Sequence, residues 1–225
     1  MTKSLLYLIF FFCSSLHLFG QDNIRFSPDS DTAFWYTNKN SYVKDFKLGL
    51  IETDTTKYVF RFWSNGLTIK LTKSNNNYSG EVIRFVEQYP AKSKKKIFVK
   101  KNIVLPKVAD KAFRLIDSIK INELPSDKNI KGWQQGLDGI TYFIEYKVDN
   151  KYSFKNYWTP TSQDSLVEAK LLLYFISSLE NLLDLKKSSK AFQNEIPFDS
   201  WTYPGSSTSV LRIKPKTKKK NGGQY

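Results

Sequence analysis

Between Tyr58 and Val104 the chain alternates short aromatic or β-branched stretches with turn signals. That pattern commits the region to an antiparallel sheet. Tyr58 to Trp63 (YVFRFW) reads as a strand and Asn65-Gly66 as a tight turn. Leu67, Ile69 and Leu71 alternate with Thr68, Lys70 and Thr72, the period of a half-buried strand. Ser74-Asn75-Asn76-Asn77 turns the chain and Glu81 to Val86 returns it. Lys96 to Val104 adds a strand entered through a lysine-rich loop.

Helical spacing follows. Pro106 suits a first helical turn. Val108, Ala112, Ile116 and Ile119 then recur on one face with Phe113 beside them, an amphipathic helix of about four turns. Pro125 ends it, and residues 126–139 form a loop marked by Gly132, Gly136 and Gly139. In the next hairpin Ile140, Tyr142, Ile144, Tyr146 and Val148 share one face, and Tyr152, Phe154 and Trp158 share one face of the return strand. A two-residue loop at Asp149-Asn150 would set Tyr146 across from Ser153. A three-residue loop, Asp149 to Lys151, sets Val148 across from Tyr152, Tyr146 from Phe154 and Tyr142 from Trp158. It also pairs Glu145 with Lys155 and Phe143 with Tyr157. A one-residue slip turns an apolar face outward, so the three-residue loop is expected. Pro160 ends that strand, and Ser165 with Glu168 fits a capping box opening a helix to about Leu185. The unbroken apolar run Leu171–Ile176 predicts burial between the sheet and something else. Glu168, Lys170, Glu180 and Asp184 rule against a membrane span. An aromatic stretch, Phe192 to Tyr203, follows.

The expected fold is α+β, an antiparallel sheet of about six strands with two packed helices, over residues 58–204. Ahead of it, residues 21–57 read as an irregular or strand segment, with short apolar pieces at Ala33–Tyr36 and Phe46–Ile51. Residues 205–225 read as a basic, disordered tail. Residues 1–20 read as a signal peptide: Lys3, then the apolar run Leu5–Phe19, then Gly20 before Gln21. A membrane span would need ~20 apolar residues. A lipoprotein would acylate Cys13, but the small residues usual before such a cysteine are replaced by Phe10, Phe11 and Phe12. Export to the periplasm, the cell surface or the medium is therefore expected.

His17, Cys13 and Met1 are the chain's only residues of those types, and all precede Gln21. The exported body can thus form no disulfide and must rely on a hydrophobic core. It also lacks a Ser-His-Asp triad, a cysteine nucleophile and His or Cys zinc ligands. Catalysis would fall to carboxylates, a Ser–Lys pair or tyrosine. Asp138 and Glu145 are the acids of the most patterned region, yet seven residues of extended strand span ~23 Å. Paired glycosidase carboxylates lie ~5–9.5 Å apart. Asp138-Gly139 reads as a turn. Trp63, Trp133, Trp158 and Trp201 could line a sugar platform, but aromatics at strand spacing more often fill a core. Asn77-Tyr78-Ser79 fits the glycosylation pattern, which matters only in a eukaryotic host. No phosphate loop or calcium loop is present. No catalytic, cofactor or metal residue is assigned and no cofactor is expected. The sequence favours binding over catalysis.

The chain carries 35 Lys+Arg against 21 Asp+Glu. Two acid-free stretches account for nearly all of the excess. One is Lys92, Lys94, Lys95, Lys96, Lys100 and Lys101. The other is Arg212, Lys214, Lys216, Lys218, Lys219 and Lys220. Such lysines are candidates for contact with an anionic polysaccharide or membrane surface. Lysine dominates over arginine, which disfavours bidentate phosphate recognition and so nucleic acid. A protein partner is the other expectation, as for an inhibitor or immunity-type protein acting on an exported enzyme through an exposed strand or loop. A carboxylate-dependent glycan hydrolase is a third. The chain itself is expected to be a monomer or a weak oligomer through the second helix.

Asp138-Gly139, Tyr142, Glu145, Tyr152, Trp158 and Pro160 form an Asp-Gly-x-x-aromatic-x-x-Glu hairpin ending in Trp-x-Pro and followed by a helix. With Arg61-Phe62-Trp63 upstream, this resembles a group of uncharacterised exported bacterial domains, from Tyr58 to about Leu185. The resemblance implies the order of elements and export, and no activity.

Overall fold

The computed structural model describes residues 25–31, 34–91, 95–204 and 209–212. Residues 1–20, read above as a signal peptide, and Lys92, Lys94, Lys214, Lys216, Lys218, Lys219 and Lys220 lie outside the described residues. The architecture is α+β and richer than the expected six strands and two helices. In chain order the elements are β1 (Arg25–Phe26), α1 (Phe34–Asp45), β2 (Tyr58–Ser64), β3 (Leu67–Ser74), β4 (Asn77–Gln88) and β5 (Ile97–Val104). There follow α2 (Pro106–Ile119), β6 (Thr141–Val148), β7 (Lys151–Trp158), α3 (Val167–Leu182), α4 (Leu185–Glu195), β8 (Ser200–Thr202) and β9 (Ser209–Leu211). One sheet runs in the order β1-β7-β6-β2-β3-β4-β8-β9, with β5 on the other side of β4. Every pairing is antiparallel except β1 with β7.

Two corrections concern helices. Phe34–Asp45, read as part of an irregular or strand segment, is α1. Its polar run Thr37-Asn38-Lys39-Asn40-Ser41 hides the helical period, because a lysine stands where an apolar residue would mark the inner face. The helix expected to reach Leu185 breaks at Asp184, whose φ of 48° is left-handed. The chain restarts there as α4. The capping box is also absent. α3 is preceded by Leu166, which makes no side-chain cap bond.

The β6–β7 register is a further correction. Tyr146 pairs with Ser153, Glu145 with Phe154, Ile144 with Lys155 and Tyr142 with Tyr157. The loop is the two-residue one, with Asp149 at φ 49°. The rule used from sequence assumes one wet face. Here residues 144–147 of β6 and 152–157 of β7 are all buried. With helices on both sides of the sheet, neither register turns an apolar face to water, and the turn decides.

The two sides differ in content. Phe60, Phe62, Ile69, Leu71, Ile144 and Tyr157 meet α2 and α3 in the main core. α2 contributes Ala109, Ala112, Phe113 and Ile116. α3 contributes Ala169, Leu172, Phe175, Ile176 and Leu179, and its outward Tyr174 stays exposed. On the opposite side α1 and the segment behind it bring Val43, Phe46 and Leu48 onto Trp63, Ile83 and Phe85. Ile51 joins Val59, Tyr152 and Phe154 there. The Asn65-Gly66 turn needs its glycine: φ is 62°, and the Tyr203 ring occupies the space a Cβ would take.

Candidate functional site

The α1 side of the sheet holds a buried charged cluster. Glu145, 0% exposed, projects from β6 toward α1. It accepts hydrogen bonds from Trp63 Nε1 (2.6 Å), Tyr152 OH (2.7 Å) and Lys39 Nζ (3.1 Å), with Arg61 NH1 at 3.5 Å. Lys39 donates in turn to Glu52 (3.0 Å), which also accepts from Tyr36 OH (2.7 Å). Arg61 donates to the carbonyls of Leu48 (3.2 Å) and Gly49 (3.0 Å). Two cations thus face two carboxylates, so the buried charge is balanced. Aromatic rings close the surroundings: Lys39 Nζ lies 4.5 Å from the Tyr36 ring centre and 5.6 Å from that of Tyr152.

Burial alone would raise the Glu145 carboxyl. Arg61 and Lys39, with the hydrogen bonds from Tyr152 and Trp63, outweigh it and hold the group below the ordinary carboxylate range. Burial and the two neighbouring carboxylates push the Tyr152 phenol well above its ordinary value. Glu145 therefore stays ionised and Tyr152 protonated, each acting on the other. Lys39, Arg61, Glu145 and Tyr152 are all within 1% of complete burial. No substrate atom can reach the cluster as it stands. The arrangement orients and neutralises, and makes no general acid or base available.

Four residues from the resemblance, Arg61, Trp63, Glu145 and Tyr152, therefore meet at one point. Asp138 and Trp158 do not join them. Asp138 sits in an exposed loop, and Trp158 packs over Gly136. The expected Glu145–Lys155 pair is absent: Lys155 points to the other side, bonded to Asp29 (2.7 Å) and to the carbonyls of Asn122 (2.8 Å) and Leu124 (2.7 Å). Trp63, Trp133 and Trp201 are buried and form no sugar platform. Lys39 and Glu52 escaped the sequence reading. Their only signal there was a lysine between two asparagines and an acid after the apolar piece Phe46–Ile51.

The described basic residues gather on another part of the molecule. Lys95 and Lys96 lead into β5, and Lys100 and Lys101 lie within it. Three of the four already meet acids: Lys95 with Asp45 (2.9 Å) and Glu87 (2.7 Å), Lys100 with Glu195 (2.5 Å), and Lys101 with Glu81 (2.7 Å). These pairs are partly solvated and worth little each. β5 has neighbours on one side only. Gln88 N–H bonds to Lys96 C=O (2.9 Å), which fixes the phase of the β4–β5 ladder. The even residues of β5 face β4, and the backbones of Ile97, Val99, Lys101 and Ile103 point outward. No hydrogen bond from another described residue meets them. β5 is the longest free edge among the described residues, since β1 has 2 residues and β9 has 3.

Beside this edge runs a groove of about 220 Å³ between β5, the start of α2 and the α3–α4 junction. Val104, Leu105, Val108, Leu182 and Leu183 make it largely apolar, with Asn102 and Asp184 as polar rims. Ile103 and Leu105, both in its lining, are 76% and 68% exposed. A second, open depression of about 480 Å³ near Tyr78 and Lys107 is polar and apolar in equal measure, and its Arg114 is bound to Asp110.

Among the described residues no group of three or more His, Cys, Asp or Glu side chains could hold a metal. No described helix is long and apolar enough to cross a membrane. No protein-family model and no curated protein matches the chain.

Proposed function

We propose that the protein is exported and works by contact rather than by bond-making, with an anionic partner meeting its basic edge. The observation that supports this most is the meeting of Lys95, Lys96, Lys100 and Lys101 with the longest unpaired strand edge among the described residues. The deepest acid, Glu145, is meanwhile sealed and neutralised. The paired lysines do not oppose the reading, because exposed ion pairs of 0–1 kcal/mol exchange readily for a better anion. The basic C-terminal stretch, Lys214 to Lys220, would add to the same field.

Retention of the purified protein on immobilised dextran sulfate, followed against salt, tests this. Retention should fall steeply between low and physiological salt and weaken when Lys95, Lys96, Lys100 and Lys101 become glutamine. Salt-independent retention, or none, would end the electrostatic reading. A second reading, an inhibitor or immunity-type protein directed at an exported enzyme, is favoured by the free β5 edge and its groove. A single stoichiometric protein partner in a pull-down would select it.

A further inference from the structure

We propose that β5 receives an extended polypeptide segment as an added strand, one that carries apolar residues alternating with acids. This rests on the binding reading above and names the chemistry of the partner. Four observations converge. The outward amides and carbonyls of Ile97, Val99, Lys101 and Ile103 have no partner among the described residues, and an antiparallel or parallel strand satisfies them by main-chain bonds. The strand runs 8 residues, long enough for such a ladder. Side chains of an added strand that stand across from Asn102 and Val104 enter the groove against Leu105, Val108, Leu182 and Leu183. Those across from Lys101 lie on the opposite face of the added strand and meet positive charge.

The same lysines disfavour a second copy of this chain as the occupant. In a two-fold antiparallel pairing the outward residues must pair with one another. The two registers with the longest overlap then set Lys100 directly against Lys100, or Lys101 against Lys101. Like charges directly opposite are destabilising, and edge lysines are a common guard against self-pairing. An acidic strand reverses the sign of that term and turns the guard into selectivity.

A fluorescein-labelled octapeptide alternating valine with glutamate is a direct probe. It should bind the protein and slow amide exchange at Val99, Lys101 and Ile103. The same peptide methylated on every backbone nitrogen keeps its charge and side chains but has no donors, and should bind at least about tenfold more weakly. Val99→Pro removes one outward donor without touching the β4 ladder and should weaken the unmethylated peptide by about tenfold as well. The exchange measurement uses the unaltered protein and carries the test if that variant folds poorly. Equal binding of the methylated peptide, or binding without slowed exchange at the three amides, would overturn strand addition while leaving salt-dependent contact intact. Concentration-dependent self-association that protects the same amides would overturn it in favour of a second copy. Failure to bind either peptide or dextran sulfate would remove the binding reading itself.

Discussion

The two sides of the sheet solve the same problem with different materials. Toward α2 and α3 the contact is aliphatic and aromatic, built from Phe60, Ile69, Phe113, Leu172 and Phe175. Toward α1 it is built around ions: Lys39, Glu52, Arg61 and Glu145, with Trp63 and Tyr152 as donors. An apolar core tolerates substitutions of similar size, because dispersion and burial are nearly blind to shape-preserving swaps. A buried ionic core does not, because each member is needed to neutralise the next. The α1 side should therefore be brittle where the α2–α3 side is forgiving.

Near-isosteric changes on the two sides sharpen that contrast most. Glu145→Gln leaves Lys39 and Arg61 short of an anion and should cost about 3–5 kcal/mol in urea denaturation. Ile69→Val, deep on the other side, should cost about 0.5–1.5 kcal/mol. Equal losses would erase the distinction. Next in size is the response to acid. The Glu145 carboxyl is depressed in the folded state, so its stabilisation is complete above the ordinary carboxylate value and lost as pH falls through the lowered one. The wild-type protein should lose stability on acidification, and Glu145→Gln should follow a shallower curve. Asp54 makes a smaller contribution of the same sign. Burial would raise it, but hydrogen bonds from Lys70 and Thr56 bring it down to about 2. Asp54→Asn should cost on the order of 1 kcal/mol at neutral pH and progressively less as pH falls through about 2, by equilibrium denaturation across that range. The smallest effect belongs to the surface: Lys100→Gln, which breaks a pair with Glu195, should change stability by less than about 0.5 kcal/mol.

The same contrast explains what the sequence disclosed. Strands β2 to β5 and helix α2 were legible because apolar residues recur at periods of two and 3.6 with Gly, Asn and Pro between them. α1 was not, because Lys39 sits at an inward position and the local pattern looks like solvated surface. Glu145 was noticed as an acid within a patterned strand. Its partners were not, since Lys39 lies 106 residues earlier and nothing local marks the pair. The β6–β7 register failed for a related reason: Tyr152 and Phe154 face α1, and a helix invisible in the sequence cannot be counted as a cover. The free edge of β5 was only hinted at by its lysines, because which strands end a sheet is decided by tertiary order.

The pairing of β2 with β6 has a consequence for how the protein is made. Arg61 and Glu145, neighbours across that ladder, are 84 residues apart in the chain. A ribosome therefore releases the middle of the sheet long before the strand that flanks it, and closure must wait for most of the polypeptide to emerge. Arrested nascent chains ending at Pro125 should be digested rapidly by protease, and chains long enough to free Glu195 should resist it. A molecule that stays open until late in synthesis remains threadable for longer, a property that the proposed export would require.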